Sequence, residues 1–168
     1  MNNSEVPRHQ VAWRALLAAH ARLTATIGEA LKAAGVLSLE AYDVLVSIAF
    51  APGERIRLSD LAQAVLLSKS GLTRSVDRLA AAGLMRRESC ADDGRVVHAV
   101  LTRKGKAALE RAWAVYRQQI DRIVGGTLTP AESETLRGLL DRLSAAAEPP
   151  RALAGPTRTA KPRPRARR

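Results

Sequence analysis

Two short helical segments joined by a tight junction constrain this chain more than any other feature of its sequence. Ser59 and Asp60 can cap the first segment, "LAQAVLL", and Ser68 can cap the second, which spans residues 69–82 and is stopped by Gly83. Apolar residues of the second segment recur at spacings of three and four, which places them on one face of a helix. We interpret the pair as a helix-turn-helix.

Two strand-like runs follow directly, and the loop between them contains a turn sequence. The runs are "LMRRES" and "VVHAVLT" and the loop is "CADDGR", so residues 84–102 are predicted to form a β-hairpin. The earlier stretch "RIRL", residues 55–58, is too short to be more than an isolated strand. The predicted fold class is therefore mainly α with a small β-hairpin (α+β).

Helical patterns flank this unit on both sides. Before it, apolar residues recur at helical spacing over residues 11–31, and Ser38 can cap a second helix that ends at Pro52-Gly53. After it, Thr102 can cap a further helix, and "TPAE" at 129–132 is a strong start signal for the last one. Terminal helices with continuous apolar faces usually need a partner surface.

Positive charge is concentrated in two parts of the chain. The chain has 168 residues, 46% of them hydrophobic, which is enough for one domain with a core, and its formal net charge is +11. Residues 68–106 carry nine basic and four acidic side chains, and residues 149–168 carry seven basic and no acidic ones. This distribution favours a polyanionic partner, here double-stranded DNA, over a uniformly basic surface. The proline-rich composition of residues 149–168 predicts a disordered basic tail.

The polar face of the second short helix supplies candidate DNA contacts. Its side chains can donate hydrogen bonds to phosphates and base edges in a major groove, and the candidates are Ser68, Lys69, Ser70, Thr73, Arg74 and Arg78. The alternative is an ordinary amphipathic helix with a solvated face. The preceding short helix and the basic hairpin favour DNA binding over that alternative.

The tip of the hairpin provides a second candidate contact. Arg95 can enter a narrow minor groove, and Asp93 can orient it through a charge-assisted hydrogen bond. Plain turn chemistry is the alternative for Asp93, and both interpretations can hold at once. Five further cations are candidates for the DNA backbone: Arg86, Arg87, Arg103, Lys104 and Lys106.

The sequence does not favour an enzyme, a metal site or a membrane protein. It contains no Gly-rich phosphate loop, Ser-His-Asp set or His-Glu-x-x-His pattern, and its three histidines share no ligand spacing with Cys90, the single cysteine. We therefore expect no enzymatic activity, no cofactor and no metal, and we favour a passive Cys90 over a redox sensor. No apolar run reaches the ~18 residues of a membrane span, so we expect no membrane partner and a cytoplasmic location.

The order of these pieces resembles the MarR family of bacterial transcriptional regulators. The resemblance covers roughly residues 10–145 and is carried by "LSDLAQAVLLSKSGLTRSVDRLAAAGLMRR", by "DGR" with Asp93 and Arg95, and by "LTRKG" after it. It implies a winged helix-turn-helix and a homodimer that reads a pseudo-palindromic operator, usually as a ligand-responsive repressor. The arginine-rich tail suggests an alternative of another class, a sequence-independent, nucleoid-type DNA-binding protein.

The resemblance also implies how the chain is divided. Residues 1–35 would form an N-terminal dimerisation helix, and residues 36–106 would form the winged helix-turn-helix lobe that binds DNA. Residues 107–148 would form the C-terminal dimerisation helices, ahead of the disordered basic tail at 149–168.

An effector pocket between the dimerisation helices and the DNA-binding lobe is a further implication. We expect an unknown aromatic or phenolic small molecule there, and the candidate lining residues are Trp13, His20, Tyr42, Asp43 and Arg87. Packing in the core or in an interface is the alternative for Trp13, His20 and Tyr42. In a branch of the family that binds urate, an aspartate and two arginines match Asp43, Arg74 and Arg87, but the extra N-terminal helix of that branch has no counterpart here.

Overall fold

A computed structural model describes residues 6–65, 69–89 and 96–147. The chain divides into two compact units, residues 1–123 and residues 124–168. None of the described helices is both long and apolar enough to cross a bilayer. The described helices and strands are, in chain order, α1 (Arg8–Ala33), α2 (Leu39–Ala49), β1 (Arg55–Arg57), α3 (Leu58–Ala64), α4 (Lys69–Ala81), β2 (Met85–Ser89), β3 (Val97–Leu101), α5 (Arg103–Ile120) and α6 (Pro130–Ala147).

Most helix ends follow from local sequence signals, as predicted. Ser38 caps α2 by accepting a hydrogen bond from the Ala41 amide at 3.2 Å, and Thr102 caps α5 by accepting from the Gly105 amide at 3.0 Å. Beyond the ends of α1 and α4, Gly35 and Gly83 have φ of 65° and 70°, the left-handed conformation that terminates a helix.

The first helix of the helix-turn-helix differs from its predicted start. The predicted cap at Ser59 and Asp60 is wrong, because α3 begins at Leu58 with Arg57 in the cap position and no side-chain cap. The Ser59 hydroxyl instead donates to the Asp60 carboxylate at 3.1 Å. Strand β1 runs directly into α3, so strand pairing sets the start of this helix.

The three strands form one antiparallel sheet in the order β1-β3-β2. Strand β1 pairs with β3 through Arg57 opposite His98, and β2 pairs with β3 through Met85 opposite Leu101. The hairpin is therefore confirmed, whereas the prediction of an isolated strand at residues 55–58 is wrong. That pairing joins positions far apart in sequence, which a local pattern does not reveal.

The core of the winged helix-turn-helix lies between the helices and one face of this sheet. Leu72, Val76 and Leu79 of α4 are buried there, as their spacing predicted. They share a cluster with apolar residues of α2, α3 and the sheet, including Leu45 and Met85. The apolar face of α4 is thus fixed, and its opposite face is turned outward.

A second cluster joins α1, α2 and α5. Ile27 and Leu31 of α1 pack with Tyr42 of α2 and Ala112 of α5. The rings of Tyr42 and Tyr116 are stacked, with centroids 4.5 Å apart. Burial raises the pKa of Tyr42 to about 12 and also raises the pKa of Tyr116.

Helix α6 belongs to the second unit, and its start is a capping box, as predicted. The Thr129 amide donates to Glu132 Oε2 at 2.8 Å, and the Glu132 amide donates to Thr129 Oγ1 at 3.3 Å. The Thr129 hydroxyl also donates to Glu132 Oε2 at 2.8 Å, and the hydrogen bonds from the Thr129 amide and hydroxyl lower the pKa of the Glu132 carboxyl. Three leucines of the helix are exposed: Leu136, Leu139 and Leu143.

Candidate nucleic-acid interface

The outward face of α4 carries a polar stripe that we call the recognition stripe: Ser70, Thr73, Arg74, Asp77 and Arg78. All five residues are exposed. Their spacing of three and four residues keeps them on one face, opposite the apolar residues that anchor the helix. Among the other predicted contacts, Lys69 begins the helix, while Ser68 lies outside the described residues.

The first arginine of the recognition stripe lies along its own helix. Arg74 Nε donates to the carbonyl oxygen of Ser70, one turn earlier, at 3.3 Å. This hydrogen bond directs the guanidinium toward the N-terminal half of α4. That half also carries Thr73, so short hydroxyl side chains and one cation share the same stretch of surface.

Two ion pairs tie the C-terminal half of the stripe to neighbouring elements. Arg78 lies 3.4 Å from Glu40 in the first turn of α2. Asp77 Oδ1 lies 2.5 Å from an Arg87 guanidinium nitrogen on β2. Arg87 was predicted as an effector-site residue, and its guanidinium pairs with Asp77, a residue of the recognition stripe.

The outer face of the sheet is also charged. An Arg55 guanidinium nitrogen donates to Nδ1 of His98 at 3.1 Å, which requires that ring nitrogen to be unprotonated. Arg86 pairs with Glu88 at 2.6 Å. The strands that carry these residues lead toward the hairpin tip, where the predicted contacts Asp93 and Arg95, together with Cys90, lie outside the described residues.

Two lysines that were candidates for the DNA backbone have partners within the protein. Lys104 Nζ donates to the carbonyl oxygen of Ala82 at 2.8 Å, just beyond the C-terminus of α4, where the helix dipole favours a cation. Lys106 Nζ lies 2.7 Å from Glu54, and this hydrogen bond raises the pKa of the lysine. Both lysines therefore have partners within the protein, which their sequence spacing did not indicate.

An apolar cavity of about 240 Å³ lies between α2 and α5. Tyr42, Leu109 and Trp113 contribute to its wall, and the Glu54–Lys106 ion pair lies at its margin. Of the five predicted effector-site residues, Tyr42 lines this cavity.

The other predicted effector-site residues lie elsewhere in the first unit. Trp13 and His20 are on the exposed surface of α1. Asp43 is half-buried on α2, and burial raises the pKa of its carboxyl. Within residues 6–65, 69–89 and 96–147, no three His, Cys, Asp or Glu side chains are grouped so that they could hold a metal ion.

Comparison with known proteins identifies the same architecture. The sequence model of the MarR family matches residues 37–96. AbsC, a MarR family transcriptional regulator from Streptomyces coelicolor, is 30% identical over 86% of this chain and 97% of AbsC, with a TM-score of 0.76. Sco3205, a MarR family regulator from the same organism solved in complex with DNA, is 27% identical over 92% of this chain and 97% of its own, with a TM-score of 0.80.

A third similar structure is BpsR from Bordetella bronchiseptica, whose DNA binding is regulated by 6-hydroxynicotinic acid. It is 25% identical over 80% of this chain and 98% of BpsR, with a TM-score of 0.69. Six described helices and a small antiparallel sheet agree with the winged helix-turn-helix of these proteins, so the predicted fold class is confirmed.

Family membership follows from the identity to AbsC and from the match to nearly its whole length. It also confirms the prediction of a regulator rather than an enzyme, because the family consists of transcriptional regulators. The chain belongs to the MarR family of DNA-binding transcriptional regulators.

Proposed function

We propose that this protein is a homodimeric repressor that binds a pseudo-palindromic operator and releases it when a small molecule binds. The recognition stripe carries the proposal, because it presents hydroxyl and cationic side chains on a helix whose other face is anchored in the core. A two-fold dimer would place two such helices in successive major grooves, so the operator half-sites would lie about one helical turn apart.

The proposed DNA contacts divide between α4 and the hairpin tip. Ser68, Lys69, Ser70, Thr73, Arg74 and Arg78 would contact base edges and phosphates in the major groove. Arg95, oriented by Asp93, would enter the minor groove. The complex of Sco3205 with DNA supports this assignment for the fold as a whole.

Exposed apolar faces support the proposed dimer. Trp13 and Leu17 of α1 are 59% and 49% exposed, and Leu139 and Leu143 of α6 are 50% and 57% exposed. Exposing large apolar side chains to water is unfavourable, and a second copy of the chain would cover them. We propose residues 1–35 and 107–148 as dimerisation segments around a DNA-binding lobe at 36–106.

The apolar cavity between α2 and α5 supports a ligand response. Its wall of Tyr42, Leu109 and Trp113 suits an aromatic or phenolic molecule, and BpsR provides a precedent in 6-hydroxynicotinic acid. Trp13, His20, Asp43 and Arg87 remain proposed contributors to the effector site in the dimer.

Selection from a pool of random duplexes tests operator binding. A repressor will enrich a pseudo-palindrome, and deletion of residues 149–168 will leave the ratio of selected to random affinity intact. A chain that enriches no sequence, or that loses most of its binding with the tail, is the nucleoid-type protein that the seven basic tail residues suggest as the alternative.

Ligand release is tested on the selected duplex. Hydroxylated aromatic acids, beginning with 6-hydroxynicotinic acid, are titrated into the complex with the wild-type protein and with Leu109→Trp, which fills the cavity. Release from the wild type that is lost in Leu109→Trp supports the cavity as the effector site. Equal release from both proteins rules the cavity out.

A further inference from the structure

We propose that Asp77 is a specificity-determining residue, which limits sequence-independent DNA binding by holding Arg87 against the recognition stripe. The carboxylate is part of the stripe itself, one turn after Thr73. It is the acidic member of a surface that otherwise presents hydroxyl groups and cations. Its Oδ1 lies 2.5 Å from an Arg87 guanidinium nitrogen.

Strand alternation explains how Arg87 reaches the recognition stripe. Arg87 lies two residues after Met85 on β2, so both side chains leave the same face of the sheet. That face packs on the helices, because Met85 is 1% exposed. The guanidinium therefore points toward α4, and the ion pair connects α4 to β2, the first strand of the hairpin.

The ion pair is exposed, so its main effect is on the charge that the surface presents. The Arg87 and Asp77 side chains are 42% and 54% exposed, and pairs of this kind add little to the stability of a fold. A guanidinium that is paired with a carboxylate presents little net charge to a nearby phosphate. An unpaired guanidinium at the same place would attract a phosphate of any sequence.

Phosphate contacts carry no direct sequence information, whereas contacts to base edges do. Holding Arg87 on Asp77 therefore lowers the affinity for random DNA without removing a base contact from the N-terminal half of α4. The pair of Arg78 with Glu40 is longer, at 3.4 Å, and more exposed, so we assign the effect to Asp77.

The test is a double-mutant cycle on a mixed-sequence duplex, with Asp77→Asn, Arg87→Gln and the double variant in the full chain. One additional phosphate contact steepens the slope of log Kobs against log salt by about 0.9. When the salt is lowered from 1 M to 0.15 M, this steeper slope raises the affinity of Asp77→Asn about fivefold more than that of the wild type. Adding Arg87→Gln to Asp77→Asn will abolish the gain, so Arg87→Gln will weaken binding more in that background than in the wild type.

Asp141→Asn is the charge-matched control, because Asp141 lies in an exposed ion pair with Arg137 at 2.7 Å on α6, and Arg137 is also paired with Glu134. It changes the net charge by the same amount at a residue that is not part of the recognition stripe. A gain in affinity cannot arise from unfolded protein, so reduced stability of Asp77→Asn would not produce the expected result.

Two outcomes overturn the proposal. One is an affinity of Asp77→Asn for the mixed-sequence duplex equal to that of Asp141→Asn. The other is a gain that persists in the double variant, which would assign it to lost carboxylate repulsion. The mixed-sequence duplex requires no operator, so these outcomes stand whether or not a palindrome is selected.

Discussion

Gly105 shows how one residue sets the distance between two parts of the helix-turn-helix lobe. A Cβ at this position would lie 1.9 Å from the carbonyl oxygen of Leu84 and 2.9 Å from its carbonyl carbon. The close approach is reinforced by Thr102, whose hydroxyl lies 2.8 Å from the Gly83 oxygen and 3.0 Å from the Leu84 oxygen. Only glycine allows the backbone of α5 to lie this close to the turn after α4.

Replacing this glycine should separate α5 from that turn. We expect Gly105→Ala to lower the free energy of unfolding by about 2–3 kcal/mol, because a backbone carbonyl must move to admit the methyl group. Urea denaturation measures the loss. Gly138→Ala on α6 is the control, since a Cβ there meets nothing within 4 Å and alanine favours a helix by up to about 1 kcal/mol. Equal stabilities of the two variants would contradict the argument.

Residue-level prediction from the sequence succeeded where the deciding contacts are local. Caps at Ser38, Thr102 and Thr129 depend on residues three positions away, and all three are present. Lys104 and Lys106 were candidates for the DNA backbone because of their charge and their place after the hairpin, whereas their partners within the protein, Ala82 and Glu54, are distant in the sequence. Charge alone therefore did not show that these two cations also have partners within the protein.

At the scale of elements, the stacked pair Tyr42 and Tyr116 joins α2 to α5 across the lobe boundary predicted from the sequence. The sequence predicts that both tyrosines lie in helices, but it did not show that their rings would face each other. The apolar side chains of α5 are likewise only partly buried, because Trp113 is exposed while Ala108 and Ala112 are buried. Which side of a helix is covered depends on its neighbours.

The packing of Tyr42 against Tyr116 should stabilise the fold less at high pH. The pKa of Tyr42 is raised from 10.0 to about 12, so the folded protein binds the phenolic proton more tightly than the unfolded chain does. The stabilisation is complete below pH 10 and is lost as the pH rises toward 12, by at most about 1.4 kcal/mol per pH unit.

Urea denaturation between pH 9 and pH 12 measures this loss, and phenolate absorbance reports only Tyr42 and Tyr116, the two tyrosines of the chain. Tyr42→Phe keeps the ring and removes the titrating hydroxyl. Tyr116 and Lys106 titrate in the same range in both proteins, so the difference between the two pH profiles reports the Tyr42 hydroxyl. Identical pH dependence of the wild type and the variant would refute the assignment.

For the molecule as a whole, the order of elements was predictable because helix, strand and turn signals are local. The participation of β1 in the sheet was not, because Arg57 and His98 are paired across the entire helix-turn-helix. The recognition stripe was predictable from the spacing of Leu72, Val76 and Leu79. The ion pairs on that stripe were not, because each involves a residue of another element.

The proposed dimer makes a prediction at this scale. Leu143→Glu should shift the protein toward monomer, because it places a charge on the exposed leucine face of α6 where a second copy would pack. Sedimentation over a range of protein concentrations measures the shift. Ala145→Glu adds the same charge on the opposite side of the helix and should leave the assembly intact. A Leu143→Glu protein that sediments like the wild type would exclude α6 from the interface.

The pairing of β1 with β3 also has a consequence for synthesis. It closes a loop of about 40 residues that contains α3, α4 and β2. The conformational entropy lost on closing that loop is offset by strand pairing only once β3 is available. A nascent chain that has emerged from the ribosome only as far as α4 lacks the central strand against which its apolar face packs. Folding of the DNA-reading lobe therefore waits for β3, so a chain truncated before that strand will not present a competent recognition helix.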